Sequence, residues 1–131
     1  MEKELIQQEK LLEFQPKTSI TAISGGRVVS ILFADITHVS KYGNETVIYT
    51  VNNSYRTYHS LKGLLTDLPV NVFSLVHQSH IVSLRHMTGV RKGRLVVGEY
   101  YVPMSRNYKV QLMARLREIV EREYFFIEKI L

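Results

Sequence analysis

Apolar and polar residues alternate through most of the middle of the chain, which is typical of β-strands whose two faces differ. Two such stretches, Ser19–Ser24 and Arg27–Phe33, are separated by Gly25-Gly26, and this pair of glycines predicts a β-hairpin. In the next stretch, ITHVSK, strict alternation predicts that Ile36 and His38 share one face. Further strands are predicted in TVIYTV, YRTYH, VFSLV, HIVSL, LVV and YYV.

Three other stretches have the period of a helix. Met1–Phe14 is amphipathic and is followed by Pro16, so it predicts a short N-terminal helix. A short internal helix is predicted between Ser60, a suitable N-cap, and Pro69. Its apolar positions have the spacing of one helix face: Leu61, Leu64, Leu65 and Leu68. From Ser105 to the chain end, apolar residues again follow steps of three and four, which predicts a terminal helix that the Ser105 side chain can cap.

These elements predict a mainly β fold with minor α content. We expect small antiparallel β-sheets with one short internal helix, plus N- and C-terminal helices. The expected divisions are an N-terminal helical arm or linker at residues 1–17, a folded body at 18–117 and a C-terminal helical extension at 118–131. The apolar faces of the two terminal helices either pack together or join two copies as a homodimer.

Composition narrows the possible compartments and partners. A length of 131 residues suits one domain, and the absence of cysteine excludes disulfides, thiolate zinc sites and cysteine nucleophiles. The N-terminus lacks the pattern of a secretory signal, and no apolar run approaches the roughly 20 residues that cross a bilayer. We therefore expect a soluble, cytoplasmic protein without a membrane partner. The net charge of +5 favours a polyanionic partner.

The sequence does not predict an enzyme. His77, His80 and His86 do not have metal-binding helical spacing, and no acidic or thiolate third ligand lies nearby. No G-x-S-x-G motif is present, and no set of nucleophile, base and orienting residue can be assembled. We therefore predict no metal, no cofactor and no small-molecule substrate.

A polar corner, His77-Gln78-Ser79, interrupts two apolar strands in the segment Phe73–Ser83. Three neutral hydrogen-bonding side chains at a turn are not needed to fill a core, so they indicate a recognition site. The corner is one of several motifs whose order resembles the LytTR family of bacterial DNA-binding domains. The others are Asp35-Ile36, Gly43-Asn44, Ser60-Leu61, Phe73, the Ile81-Val82 pair and Val102-Pro103-Met104-Ser105-Arg106-Asn107-Tyr108. The resemblance covers roughly Ser19 to Leu116.

The resemblance implies a sequence-specific transcription regulator of two-component systems. Its loops, rather than a recognition helix, would enter successive major grooves of double-stranded DNA, at sites that are often repeated in promoters. It assigns base reading to Asn44, Gln78 and Arg106. Two departures matter: Gln78 stands where the family often has Arg or Asn, so the base preference does not transfer. Ser83 replaces a common Asn, which leaves open how that strand end is held.

Other residues are candidates for contacts to the DNA backbone. These auxiliary positions are Lys41, His77, Ser79, Ser105, Lys109, Lys62, Arg91, Lys92 and Arg94. Structural interpretations stay open beside the functional ones. Arg106 could pair with Glu99, Asn44 could serve only its turn, and His77 could brace the corner. The alternative function is a protein-interaction or dimerisation module that sequesters a regulator without binding DNA.

Overall fold

The computed structural model describes residues 17–122, and all structural statements below concern this part of the chain. It contains ten strands and two helices. The strands are β1 (Ser19–Ser24), β2 (Arg27–Leu32), β3 (Ile36–Tyr42), β4 (Glu45–Thr50), β5 (Ser54–Thr57), β6 (Phe73–His77), β7 (His80–Ser83), β8 (Met87–Arg91), β9 (Arg94–Val97) and β10 (Tyr100–Pro103). The helices are α1 (Leu61–Asp67) and α2 (Arg106–Arg122). The predicted N-terminal helix and the end of the terminal helix lie outside the described residues.

The strands form three antiparallel sheets. β1 and β2 make a hairpin, β8, β9 and β10 make a three-stranded sheet, and a central sheet has the order β5-β4-β3-β7-β6. β3 and β7 are neighbours in the central sheet although β4, β5, α1 and β6 lie between them in sequence. The prediction of a mainly β fold with small antiparallel sheets and a short internal helix is confirmed.

Two hydrophobic cores lie on opposite faces of the central sheet. The first packs the β1–β2 hairpin and α1 against the sheet and includes Ile81. The second packs the three-stranded sheet and α2 against the other face and includes Val82. Because successive side chains of a strand point to opposite faces, these two neighbours in β7 each enter a different core. The central sheet is therefore covered on both sides, and its two ends carry its turns and loops.

The structure corrects one detail of the predicted alternation. The pairing of β3 with β4 shifts register between Ile36 and His38, and Ile36 lies in the first core together with Val39. The prediction that Ile36 and His38 share a face is therefore wrong, because an irregularity of this kind breaks the two-residue period locally. The predicted second strand is also shorter, since Phe33–Asp35 form a 3-10 turn.

The internal helix agrees with its prediction. Ser60 is the N-cap of α1, and its Oγ accepts a hydrogen bond from the Gly63 N–H at 3.0 Å. Leu61 and Leu64 are buried in the first core, and the helix ends before Pro69. An N-cap hydrogen bond of this kind stabilises a helix by about 1 kcal/mol.

α2 is held against β6 by apolar and polar contacts. Leu112 and Leu116 are buried in the second core. The Arg115 guanidinium donates hydrogen bonds to the Phe73 carbonyl at 2.8 Å and to the Val70 carbonyl. Within residues 17–122, neither helix combines the length and apolar character that a bilayer crossing requires.

The end of β7 is held by the backbone. Ser83 is buried, and the N–H of the next residue, Leu84, donates a hydrogen bond to the Val72 carbonyl at 2.8 Å. This bond joins the end of β7 to the segment that enters β6. A main-chain hydrogen bond therefore holds this strand end, where the family commonly has an asparagine and this chain has Ser83.

A buried histidine joins the central sheet to the three-stranded sheet. His38 is 3% exposed, and its ring stacks on Tyr49 with centroids 4.2 Å apart and planes 6° apart. Tyr100 of β10 lies 4.8 Å from the same ring, and Thr37 Oγ1 is hydrogen-bonded to His38 Nδ1 at 2.9 Å. Burial, followed by the nearby His80, lowers the pKa of His38 from 6.5 to about 4. His38 is therefore a neutral, packed residue at neutral pH.

Candidate nucleic-acid interface

Two turns that carry predicted site residues lie side by side at one end of the central sheet. β3 pairs with β7 so that Ser40 faces His80, and the Lys41 N–H donates a hydrogen bond to the Ser79 carbonyl at 2.9 Å. The β3–β4 turn with Asn44 and the β6–β7 turn with Gln78 therefore share this end. We call it the loop end.

The start of α2 is tied to the same place. The Ser105 N–H donates a hydrogen bond to the Val76 carbonyl at 3.0 Å, at the end of β6 that leads into the Gln78 turn. Arg106 is the first residue of α2. The structure thus brings together the three residues that were predicted to read bases, with Gln78 between Asn44 and Arg106. Their roles in binding stay a prediction.

All three side chains are exposed, and the structure weakens the structural explanations for two of them. In the β3–β4 turn the positive φ of +61° belongs to Gly43, so the turn does not require an asparagine at position 44. Glu99 lies in the β9–β10 turn, at the end of β10 away from Arg106. The ion pair found among residues 17–122 joins Arg56 to Glu45, at 3.9 Å, and does not involve Arg106.

His77 braces the polar corner. Its Nδ1 accepts a hydrogen bond from the Ser79 N–H at 3.0 Å, so Nδ1 carries no proton and the ring proton lies on Nε2. The ring of His80 lies 5.0 Å away, and His80 Nδ1 is hydrogen-bonded to Ser40 Oγ at 2.7 Å. Burial, and then the proximity of His77, lower the pKa of His80. The two histidine rings therefore hold the turn that presents Gln78, and Nε2 of His77 stays available for a further hydrogen bond.

Ser105 does not cap α2 through its side chain, contrary to the expectation from sequence. Its Oγ is buried and has no hydrogen-bond partner among the described residues. The Ser105 backbone makes three hydrogen bonds instead: its N–H donates to the Val76 carbonyl, and its carbonyl accepts from the N–H groups of Tyr108 and Lys109 at 3.1 and 3.2 Å. Sequence could not reveal this, because the position of Ser105 depends on the long-range contact with β6.

The candidate cations lie around the loop end. Lys41 is at the end of β3, Lys109 is in the first turns of α2, and Lys62 is in the first turn of α1, and all three are exposed. The turn between β8 and β9 carries the others, Arg91, Lys92 and Arg94. Arg94 pairs in register with Pro103, and only Met104 and Ser105 separate Pro103 from Arg106.

The β8–β9 turn concentrates positive charge at a local cost. Arg91 and Arg94 are direct cross-strand partners, an arrangement in which like charges repel. Lys92 has φ +51°, a left-handed conformation that a lysine rarely adopts. A turn that keeps three cations despite both penalties is a candidate for contact with an anion.

One loop at this end was missed by the sequence analysis. β5 pairs with β4 so that Thr57 faces Thr46, which places the β5–α1 loop, with the exposed Tyr58 and His59, at the loop end. No motif marks these residues. Only the order and register of the strands show where they lie.

A protein-family model described as LytTr DNA-binding domain matches residues 26–117. The chain is 30% identical over 96 residues to the sensory transduction protein LytT of Bacillus anthracis, and the match covers 69% of this chain and 39% of that protein. The chain thus spans about two fifths of the length of that relative.

The fold is also similar to a solved LytTr DNA-binding domain from Bacillus cereus. The TM-score is 0.68 at 19% sequence identity, and the match covers 77% of this chain and 98% of the other. At this low identity the likeness supports the fold alone.

Proposed function

This chain belongs to the LytTR family of DNA-binding domains, and from this premise we propose that it is a sequence-specific transcription regulator that binds double-stranded DNA through loops. The observation that carries the proposal is the gathering of Asn44, Gln78 and Arg106, all exposed, at one end of the central sheet. A row of loops at a sheet end can enter the major groove without a recognition helix.

The three side chains have the chemistry that base reading requires. The amides of Gln78 and Asn44 each carry a donor and an acceptor that match adenine N6 and N7. The guanidinium of Arg106 can donate two parallel hydrogen bonds to guanine O6 and N7. Because hydrogen bonds within the corner hold the Gln78 turn, its amide is presented by a rigid support rather than by a mobile loop.

The surrounding cations and donors would position the domain on the phosphates. We propose this role for the auxiliary side chains, with the His77 Nε2–H as a neutral donor and Ser79 as a phosphate contact. For Ser105, whose hydroxyl is buried and whose N–H is bonded to Val76, we propose that it positions the start of α2, and with it Arg106, against the DNA. The other members of the set are Lys41, Lys62, Arg91, Lys92, Arg94 and Lys109.

The wider context is part of the proposal. We propose that residues 18–117 are the DNA-binding output domain of a two-component regulator, with residues 1–17 as an arm or linker and 118–131 as a helical extension. The terminal segments would join two copies as a homodimer on repeated sites in promoters.

A selection from random duplexes tests the proposal and supplies the cognate site. Arg106→Ala should then lose roughly 1–3 kcal/mol of binding free energy and relax preference at one base pair, measured by fluorescence anisotropy. Arg85→Ala is the matched control, because Arg85 is an exposed arginine beyond the other end of β7. Unchanged cognate affinity would remove Arg106 from the reading set. A selection that enriches no sequence, combined with affinity that is independent of salt, would favour the protein-interaction alternative.

A further inference from the structure

Tyr58 is a nearly fully exposed aromatic residue at the loop end. Its relative exposure is 86%, higher than that of the other exposed tyrosines in the described part of the chain. It follows Thr57, which pairs with Thr46, and Thr46 in turn lies two positions after Asn44. The β5–α1 loop is therefore the neighbour of the β3–β4 turn, on the side away from Gln78.

The surroundings of Tyr58 suit an anion. His59 is exposed in the same loop, and Lys62 is exposed at the start of α1. Glu45, the acidic residue at the adjacent turn, is paired with Arg56 at 3.9 Å, so its charge is partly neutralised. A phenolic hydroxyl can donate to a phosphate oxygen, and tyrosine is among the residues that commonly contact the DNA backbone.

We propose that the β5–α1 loop forms a fourth DNA contact, in which the Tyr58 hydroxyl donates a hydrogen bond to a phosphate oxygen and Lys62 neutralises a neighbouring phosphate. This inference rests on the proposed DNA binding. The interface then extends beyond the three reading residues, and the added loop contacts the sugar–phosphate backbone of the DNA.

The strand order also gives the interface a direction. The loop lies at the β5 side of the central sheet, and the start of α2, with Arg106, lies at the β6 side. Five strands at about 4.8 Å spacing separate the two sides by roughly 19 Å. Tyr58 and Arg106 therefore contact opposite flanks of one DNA site, and the basic β8–β9 turn lies on the Arg106 flank.

The test combines substitutions with shortened duplexes of the selected site. On the full duplex, Tyr58→Phe and Tyr58→Ala should each weaken binding roughly three- to tenfold, since both remove one hydrogen bond at a solvent-exposed site, where its net contribution is modest. The salt dependence should stay unchanged in these two variants, whereas Lys62→Ala should reduce the slope of log K against log salt by about one. Val51→Ala, at an exposed site in the β4–β5 connection at the other end of the sheet, is the control.

Shortening the duplex locates the contact. Removing base pairs from the Tyr58 flank should abolish the effect of Tyr58→Phe and leave the effect of Arg106→Ala. Removing them from the other flank should leave the Tyr58→Phe effect intact. If Tyr58→Phe binds the full duplex as tightly as the parent while Arg106→Ala is impaired, the fourth contact is refuted and the proposed function stands. If the unsubstituted protein selects no duplex at all, the proposed function itself is refuted, and the fourth contact with it.

Discussion

Replacing Lys92 should separate the stability of the β8–β9 turn from its binding role. Lys92 has φ +51° and is followed by Gly93 with φ +74°, so both central residues of this two-residue turn are left-handed. Asparagine followed by glycine is the preferred pair for such a turn. A left-handed conformation costs most L-residues roughly 1–2 kcal/mol, and asparagine much less. We therefore expect Lys92→Asn to raise the free energy of unfolding by about 0.5–1 kcal/mol.

The same substitution removes a cation that we place near the DNA backbone. The slope of log K against log salt should fall in magnitude by about 0.9, because one fewer phosphate is neutralised. Urea unfolding followed by circular dichroism measures the stability, and anisotropy titrations at several salt concentrations measure the slope. The variant should thus be more stable and bind DNA more weakly.

Lys92→Ala is the matched control, since it removes the charge and keeps a residue that disfavours positive φ. It should show the reduced salt slope without the gain in stability. Equal stability of the Asn and Ala variants would show that the backbone conformation carries no cost. An unchanged slope in both would show that Lys92 lies away from the phosphates.

Two further predictions concern the scaffold that holds the loops. A histidine in the unfolded chain binds a proton below about pH 6.5, whereas His38 in the folded protein does so only near pH 4. The free energy of unfolding should therefore fall as the pH drops through this window, by up to about 3 kcal/mol. His38→Gln should flatten that loss in urea titrations at several pH values, and an unchanged pH profile would argue against the lowered pKa. Ser60→Ala removes the hydrogen bond to Gly63 and should cost about 1 kcal/mol of unfolding free energy, whereas Thr66→Ala, at an exposed position of the same helix, should cost less. Equal losses of unfolding free energy in the two variants would show that the Ser60 hydrogen bond does not stabilise the helix as an N-cap.

Much of the local structure could be predicted from sequence because it depends on neighbouring residues. Gly25-Gly26 and Gly43 mark turns because glycine tolerates positive φ, and the observed values are +58°, +75° and +61°. Ser60 and the leucines after it define α1 by a side-chain cap and a helical period, and both were found. The motif order also identified the family, which the matching family model confirms.

Prediction failed where a residue depends on distant parts of the chain. The register shift at Ile36 arises from pairing with β4, and Ser105 is held by Val76 rather than by its own hydroxyl. Tyr58 carried no signal at all, since its place follows from the pairing of Thr57 with Thr46. Such contacts depend on strand register, which local patterns do not specify.

The sequence by itself therefore determined most of the strands and turns, the internal helix and the chemical nature of the polar corner, although it did not predict β8. Only the tertiary structure decided that Asn44, Gln78 and Arg106 share one end of a sheet, with Tyr58 beyond them. The physical reason is the pairing of β3 with β7, which joins segments far apart in sequence and turns two separate hairpin tips into neighbours. Side-chain periodicity reports which face is buried, whereas strand order is set by which faces and edges fit together in three dimensions.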